Sequence, residues 1–292
     1  ALTHDLYAMP TSTIAKHMQT GTERAGLLRN CINAYRPGRS GTHLAATQQC
    51  AIEDSRQHNK PLYILLEDWQ KFYDSISVEV IVLALRAAGL SSQGYAQWAA
   101  EALHERDIHV VTSAGTTGPV KREAGFMQGS SFSCVCVNYV VQLLHDMWMA
   151  NERGEGYTFN DASGTTVTSL SYCDDNNRLA GSLADITEAV VQSGYLSAVL
   201  GIGRSTKQAK VLAFNTGEHD TTASSHDQEY IAKHLVTRVV DGEPIQYVRG
   251  IAHDRQARQG LGDLCWAELP VIRDCQPYKY LGLREHMQAG DK

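Results

Sequence analysis

The chain has 292 residues, of which 43% are hydrophobic and 20% charged, length enough for one large domain or two modest ones around a buried core. No apolar run reaches the roughly 18 to 20 residues a membrane-spanning helix needs, and the opening ALTHDLYAMP lacks the basic and then apolar segments of a secretory signal. Twenty-six Lys and Arg against 32 Asp and Glu leave a formal net charge of −6, so no global field attracts nucleic acid and a polyanion has to be held locally. Seven cysteines without a CxxC pair and 12 scattered histidines fit neither a disulfide framework nor a structural zinc site, which favours a reducing, intracellular compartment, nuclear or cytoplasmic.

The signal is weak at both ends of the chain. The first clear element is HNKPLYILLE (residues 58–67), whose apolar run at 62–66 after a turn reads as a short buried strand ending in acids. Ser77 then caps a helix with Val78, Ile81, Val82 and Leu85 on one side, and Gly89 stands at the left-handed position after its end. A second helix is expected over about 93–105, and 109–112 with 120–122 flank the glycine-bearing turn SAGTTG as a hairpin. A glycine-rich bend at 125–129 leads into the mostly apolar stretch 133–149, long enough for a buried helix. A second hairpin follows, with strands at 165–171 and 178–180 and YCDDNN (172–177) at its tip, where Asp and Asn tolerate turn conformations. Ser182 with Asp185 opens another helix with Leu183, Ile186, Val190 and Val199 inward, and 211–214 closes the unit as a strand. The order implies an α+β fold, an antiparallel sheet with helices on one face.

Acidic residues at the ends of apolar strands carry the chemistry. Asp68 ends one strand, and Asp174 with Asp175 occupy a hairpin tip. Neighbouring strands would bring three carboxylates together at a severe cost in repulsion unless protons or cations intervene. Hard divalent cations answer this: Mg²⁺ prefers oxygen ligands and shares its shell with substrate phosphates. Two ions about 3.5 to 4 Å apart would stabilise the attacking and leaving oxygens of an in-line phosphoryl displacement.

The ordered motifs resemble the palm of a reverse transcriptase, nearer the non-LTR retrotransposon and group II intron type than the retroviral type. EDWQKFYDSI (67–76) resembles the first acidic motif and supplies Asp68, Tyr73 and Asp74. GFMQGSSFSCVCVN (125–138) is similar to the glycine motif, with Gln128, Gly129, Ser133 and Asn138. YCDD (172–175) matches the Tyr-x-Asp-Asp box, and YKYLGL (278–283) resembles the primer-grip hairpin through Tyr280, Leu281 and Gly282. NAYRPGRSGTHLA (33–45) resembles a fingers segment.

The resemblance implies a polymerase palm with partial fingers: fingers at 1–60, palm at 61–214, and a palm extension with the primer-grip-like hairpin at 215–292, the thumb being absent. It implies that Asp68, Asp174 and Asp175 bind two Mg²⁺ ions, with Mn²⁺ as a substitute, while a primer 3′-hydroxyl attacks the α-phosphate of a dNTP on an RNA template. Tyr73 would lie beneath the incoming sugar and exclude a 2′-hydroxyl, Gln128 and Gly129 would approach the templating pair, and Arg36 and Arg39 would face the triphosphate. Lys207 would protonate the leaving pyrophosphate, with Lys210 competing for that part. No membrane is implied, and the chain is expected to be a piece of a longer retroelement polyprotein.

This sequence departs from the family at several positions. Met127 replaces a proline, Cys173 an alanine or valine, and GIGRSTKQAK (201–210) lacks the usual asparagine. Glu67 stands where the family carries an apolar residue, and an acid there either perturbs the metal site or points to the other face of the strand. Residues 215–277 read as an extended hairpin without an assigned role. Two other readings compete: a viral-type RNA-dependent RNA polymerase, against which QGSSFS, YCDD and Tyr73 count, and a palm that has lost catalysis and serves as a nucleic-acid-binding or scaffold module.

Overall fold

The computed structural model describes residues 5–90, 94–103, 106–122, 124–126, 130–150, 156–205, 208–216, 225–253, 264–273, 277–280 and 283–286. Two helices that sequence periodicity did not reveal, α1 (Asp5–Ala25) and α2 (Gly41–Gln57), precede β1 (Leu62–Gln70). After the short α3 (Phe72–Ser75) come α4 (Val78–Ala87) and α5 (Tyr95–Leu103). Ser77 caps α4 by accepting the Val80 N–H at 3.3 Å, and Gly89 takes φ +78°, so both ends form as the sequence indicates.

Four short strands follow, β2 (Arg106–Ile108), β3 (Val111–Thr112), β4 (Gly115–Thr116) and β5 (Val120–Arg122), paired β2 with β5 and β3 with β4 as one antiparallel excursion. Next is the buried helix α6 (Ser131–Met149), then β6 (Tyr157–Thr158), β7 (Thr166–Val167), β8 (Ser169–Tyr172) and β9 (Asp175–Ala180). The β8–β9 turn is tighter than the expected six-residue tip. Cys173 adopts φ +58°, so two residues suffice to reverse the chain, and Asn176 and Asn177 are paired within β9. Helix α7 (Leu183–Val199) starts at Ser182, which accepts the Asp185 N–H at 3.1 Å and donates to its carboxylate.

Beyond β10 (Gly203–Arg204) and β11 (Lys210–Phe214), the region read only as an extended hairpin contains α8 (Ser225–His234) and three strands, β12 (Leu235–Val240), β13 (Glu243–His253) and β14 (Leu264–Arg273). Asp241 and Gly242, with φ +53° and +86°, make the two-residue turn between β12 and β13. A separate pair, β15 (Pro277–Tyr280) and β16 (Leu283–His286), comes last.

The main sheet runs β12-β13-β14-β11-β1-β9-β8, with β10 beside the far end of β1. All pairs are antiparallel except β11 with β14. Strand β1 is central, and its alternating side chains divide the core. Leu62, Ile64 and Leu66 pack with Leu44 and Ile52 of α2, whereas Tyr63 and Leu65 pack with Trp148 of α6 and Ile186 and Val190 of α7. Helices therefore lie on both faces, because α2 adds a layer opposite α6 and α7. A third cluster gathers α1, α4, α5 and α6 around Trp69 and Phe72 at the end of β1. Among the described residues no helix is long and apolar enough to cross a membrane.

Candidate active site

The register of the sheet brings the acidic residues together. Asp68 lies directly opposite Asp175 across β1 and β9, and Asp175 lies opposite Tyr172 across β9 and β8. Directly opposite residues share a face, so Tyr172, Asp175 and Asp68 form one row, on the side of the sheet that carries α2. Asp174 sits in the turn at the end of that row.

Burial pushes Asp175 up to about 6, helped by the charges of Asp174 and then Asp68. Burial likewise raises Asp68, with the Asp174 charge adding to it and a hydrogen bond from the Ser205 side chain opposing it. The Ser205 N–H also donates to the Asp68 carbonyl at 2.7 Å, tying the chain after β10 to the end of β1. Ser205 was not singled out from sequence; its only signal is its place before the two lysines of the 201–210 segment.

Three hard oxygen donors whose ionised forms repel one another are chemically suited to a divalent cation, which would relieve that repulsion. Among the described residues no three His, Cys, Asp or Glu side chains are gathered closely enough to hold an ion by themselves. Mg²⁺ does not require three: it is commonly bound by one or two carboxylates, waters and substrate phosphates. The donor set fits an ion completed by substrate.

An aromatic floor adjoins the carboxylates. The backbone turns at Lys71 (φ +47°), and α3 lifts Tyr73 beside the hairpin. The Tyr73 hydroxyl lies 3.2 Å from that of Tyr35 and donates to the Cys173 thiol at 3.5 Å, while its ring meets Phe126 edge-on at 6.2 Å. Burial raises both tyrosine hydroxyls further above their ordinary range, so they remain protonated. Tyr35, half-exposed and itself left-handed at φ +53°, is a second aromatic of this floor, present in the NAYRPGRS segment but not picked out there.

The segment before α2 is pinned to the hairpin. The Ser171 N–H donates to the Cys31 carbonyl at 2.8 Å, the Asn33 N–H to the Ser171 carbonyl at 3.0 Å, and Asn138 Nδ2 to the Ala34 carbonyl at 2.7 Å. Arg36 does not face the carboxylates. Its guanidinium is buried in a bidentate pair with Glu23 at 2.6 and 2.9 Å and in bonds to the Arg29 and Ile32 carbonyls, a structural engagement in place of the expected triphosphate contact. Arg39 is held against Asn30, donating to its carbonyl and side chain at 2.8 Å each. Gln128, Gly129, Lys207, Leu281 and Gly282 lie outside the described residues. Tyr280 ends β15 opposite Leu283, and Lys210 opens β11 opposite Leu66.

Glu67 points away from the carboxylate row, as strand alternation allows, and is closed inside the other face.

No family model matches the chain, and no curated protein matches it. Solved structures do. The apo telomerase of Candida tropicalis, truncated from its C-terminal domain, superposes with a TM-score of 0.52 at 11% identity, over 82% of this chain and 43% of that one. The Candida albicans telomerase, solved in complex with a TWJ fragment of telomeric RNA, superposes at 0.51 with 13% identity, over 74% of this chain and 35% of that one. The chain thus has a reverse-transcriptase-like α+β fold and spans less than half the length of the telomerases it matches.

Proposed function

We propose that this chain is the palm and part of the fingers of an RNA-directed DNA polymerase, joining deoxynucleotides to a primer 3′-hydroxyl on an RNA template. The observation that carries it is the pairing of Asp68 with Asp175 across β1 and β9, with Asp174 in the adjoining turn, beside an aromatic floor and within a fold shared with telomerase. Asp68 and Asp174, with Asp175, would hold the Mg²⁺ ions; when bound, such ions activate the attacking hydroxyl and neutralise charge on the phosphates.

The protein's own part is positional. Ser205 fixes the end of β1, so the Asp68 carboxylate faces the hairpin. Tyr73, hydrogen-bonded through its hydroxyl to Tyr35 and Cys173, presents a ring that cannot rotate freely, and a fixed ring beneath the sugar excludes a 2′-hydroxyl. Gln128, Gly129, Lys207 and the motif residues Tyr280, Leu281 and Gly282 keep the roles the motif resemblance implies for them, on the templating pair, the leaving group and the primer. The motif spacing favours a retroelement of the non-LTR or group II intron type, with further domains of a polyprotein around this one. The RNA-bound telomerase supports an RNA partner.

Primer extension on an RNA template tests this, with dNTPs or rNTPs and Mg²⁺ or Mn²⁺. The expected result is extension by dNTPs that disappears in Asp174→Asn. A preference for rNTPs would replace the reading with an RNA polymerase, and extension that survives the substitution would contradict it.

A further inference from the structure

On the face opposite the carboxylate row lies a buried ionic cluster. Both the Glu67 and the Arg204 side chains are 0% exposed, and they meet at 2.7 Å; Arg178, also buried, approaches Glu67 at 3.4 Å. Asn176 Nδ2 donates to Glu67 at 2.9 Å, and the Ser193 hydroxyl of α7 donates to its other oxygen. The Arg178 guanidinium lies 3.2 Å over the Trp148 ring, and Nε and Nη1 of Arg178 and Nε of Arg204 find no hydrogen-bond partner among the described residues. Burial alone would raise Glu67, but the two guanidiniums hold it below its ordinary range, so the carboxylate stays ionised. One negative and two positive charges leave an enclosed surplus of +1.

A buried ion cluster with unsatisfied donors is a poor stabilising device, since apolar side chains of like volume often do as well or better. Its placement suggests another purpose. Glu67 precedes Asp68, Asn176 follows Asp175, and Arg204 precedes Ser205, so each of these three is the chain neighbour of a residue in the carboxylate site. Along a strand successive side chains leave opposite faces, and a residue held on one face fixes where its neighbour emerges on the other. Glu67 thus ties β1, β9 and β10 together directly behind the site, with α7 as backing.

We propose that Glu67, acting through Asn176 and Arg204, is a positioning residue that sets the spacing of Asp68, Asp175 and Ser205 and thereby the affinity of the carboxylates for a divalent cation. This rests on the metal-site reading above. Glu67 touches no substrate.

The test is Mn²⁺ binding to the full chain, followed by the electron paramagnetic resonance signal of the free ion, together with thermal unfolding. Glu67→Gln keeps the shape but loses the charge, and is expected to lower the melting temperature and weaken Mn²⁺ binding about tenfold or more. Glu67→Gln with Arg204→Met removes one charge of each sign and leaves the surplus unchanged. It is expected to regain melting temperature but not Mn²⁺ affinity, whereas a merely structural cluster would return both together. Where extension is measurable, kcat should fall more than KM for the dNTP changes. Affinity in Glu67→Gln within about twofold of wild type, against the tenfold typical of outer-sphere partners, overturns the proposal alone. Affinity that recovers with stability in the double variant does the same. A wild-type chain that binds no Mn²⁺ overturns it together with the reading it rests on.

Discussion

Two sets of ionisable side chains are separated by the thickness of one strand, and His145 belongs to the enclosed set. Its ring lies between the Ser171 and Ser169 hydroxyls, at 2.8 and 3.2 Å, and burial pushes it down to about 3, with Arg178 and Arg29 adding to the effect. A depressed histidine is neutral in the folded chain and takes up a proton on unfolding at acid pH, so its contribution is complete above about 6.5 and is lost as pH falls toward 3. Thermal scans at pH 7 and pH 5 should show a drop in melting temperature that is smaller in His145→Gln; an equal drop would mean that His145 titrates normally. That Asp68 and the Asp174-Asp175 pair come to lie side by side was legible from sequence, because each closes an apolar run read as a strand of one sheet; a DD tip alone is an ordinary turn, and only the combination pointed to a site. Glu67 was legible only as an oddity. Its partners Arg178, Arg204 and Ser193 are ordinary polar residues until the register of β1, β9 and β10 brings them together.

The helices with serine caps formed where they were expected, whereas the expected pairing of 109–112 with 120–122 did not: 120–122 pairs with 106–108, and 111–112 with 115–116. The Ser77 and Ser182 caps act within four residues, so α4 and α7 begin where the sequence marks them. The β8–β9 turn did not follow composition, since Cys173 rather than an asparagine takes the left-handed conformation and the two asparagines are held by groups from elsewhere, Glu67 and Gln48. The contact of α7 with β13 could not be read in advance, because it depends on strands in the unassigned 215–277 region. It turns on Gly250, where a Cβ would stand 3.3 Å from both Cγ1 and the carbonyl oxygen of Val190. Since the carbonyl belongs to a helix backbone, Gly250→Ala should push α7 from the sheet and cost about 1 to 3 kcal/mol, read as a lower denaturant midpoint. A neutral or stabilising result would mean the helix yields freely there.

Across the whole molecule, β1 belongs to every layer: it feeds the α2 core, the α7 core and, through Trp69, the helical cluster of α1, α4, α5 and α6. Its last turn of alternation places Asp68 toward the hairpin and Glu67 toward α7, so the strand that organises the core also aims the site. The α+β class and the presence of a hairpin around YCDD were readable from apolar runs, whereas the geometry of its turn was not. The first two helices were not, because α1 and α2 carry polar residues among their apolar ones and α1 contains Pro10, which blurs the periodicity. The β12–β13 turn does carry a local signal, the Asp241-Gly242 step between alternating runs.

The central claim is that the carboxylates of β1 and the β8–β9 turn act as one unit in nucleotidyl transfer. Single-turnover incorporation of one dNTP by wild type, Asp68→Asn, Asp174→Asn and the double variant measures this directly. Each single change should lower the rate by at least about a hundredfold, and the double should fall little further, since groups that act together are lost together. An Asp174→Asn chain that incorporates at the wild-type rate, or losses that simply multiply in the double variant, would contradict it.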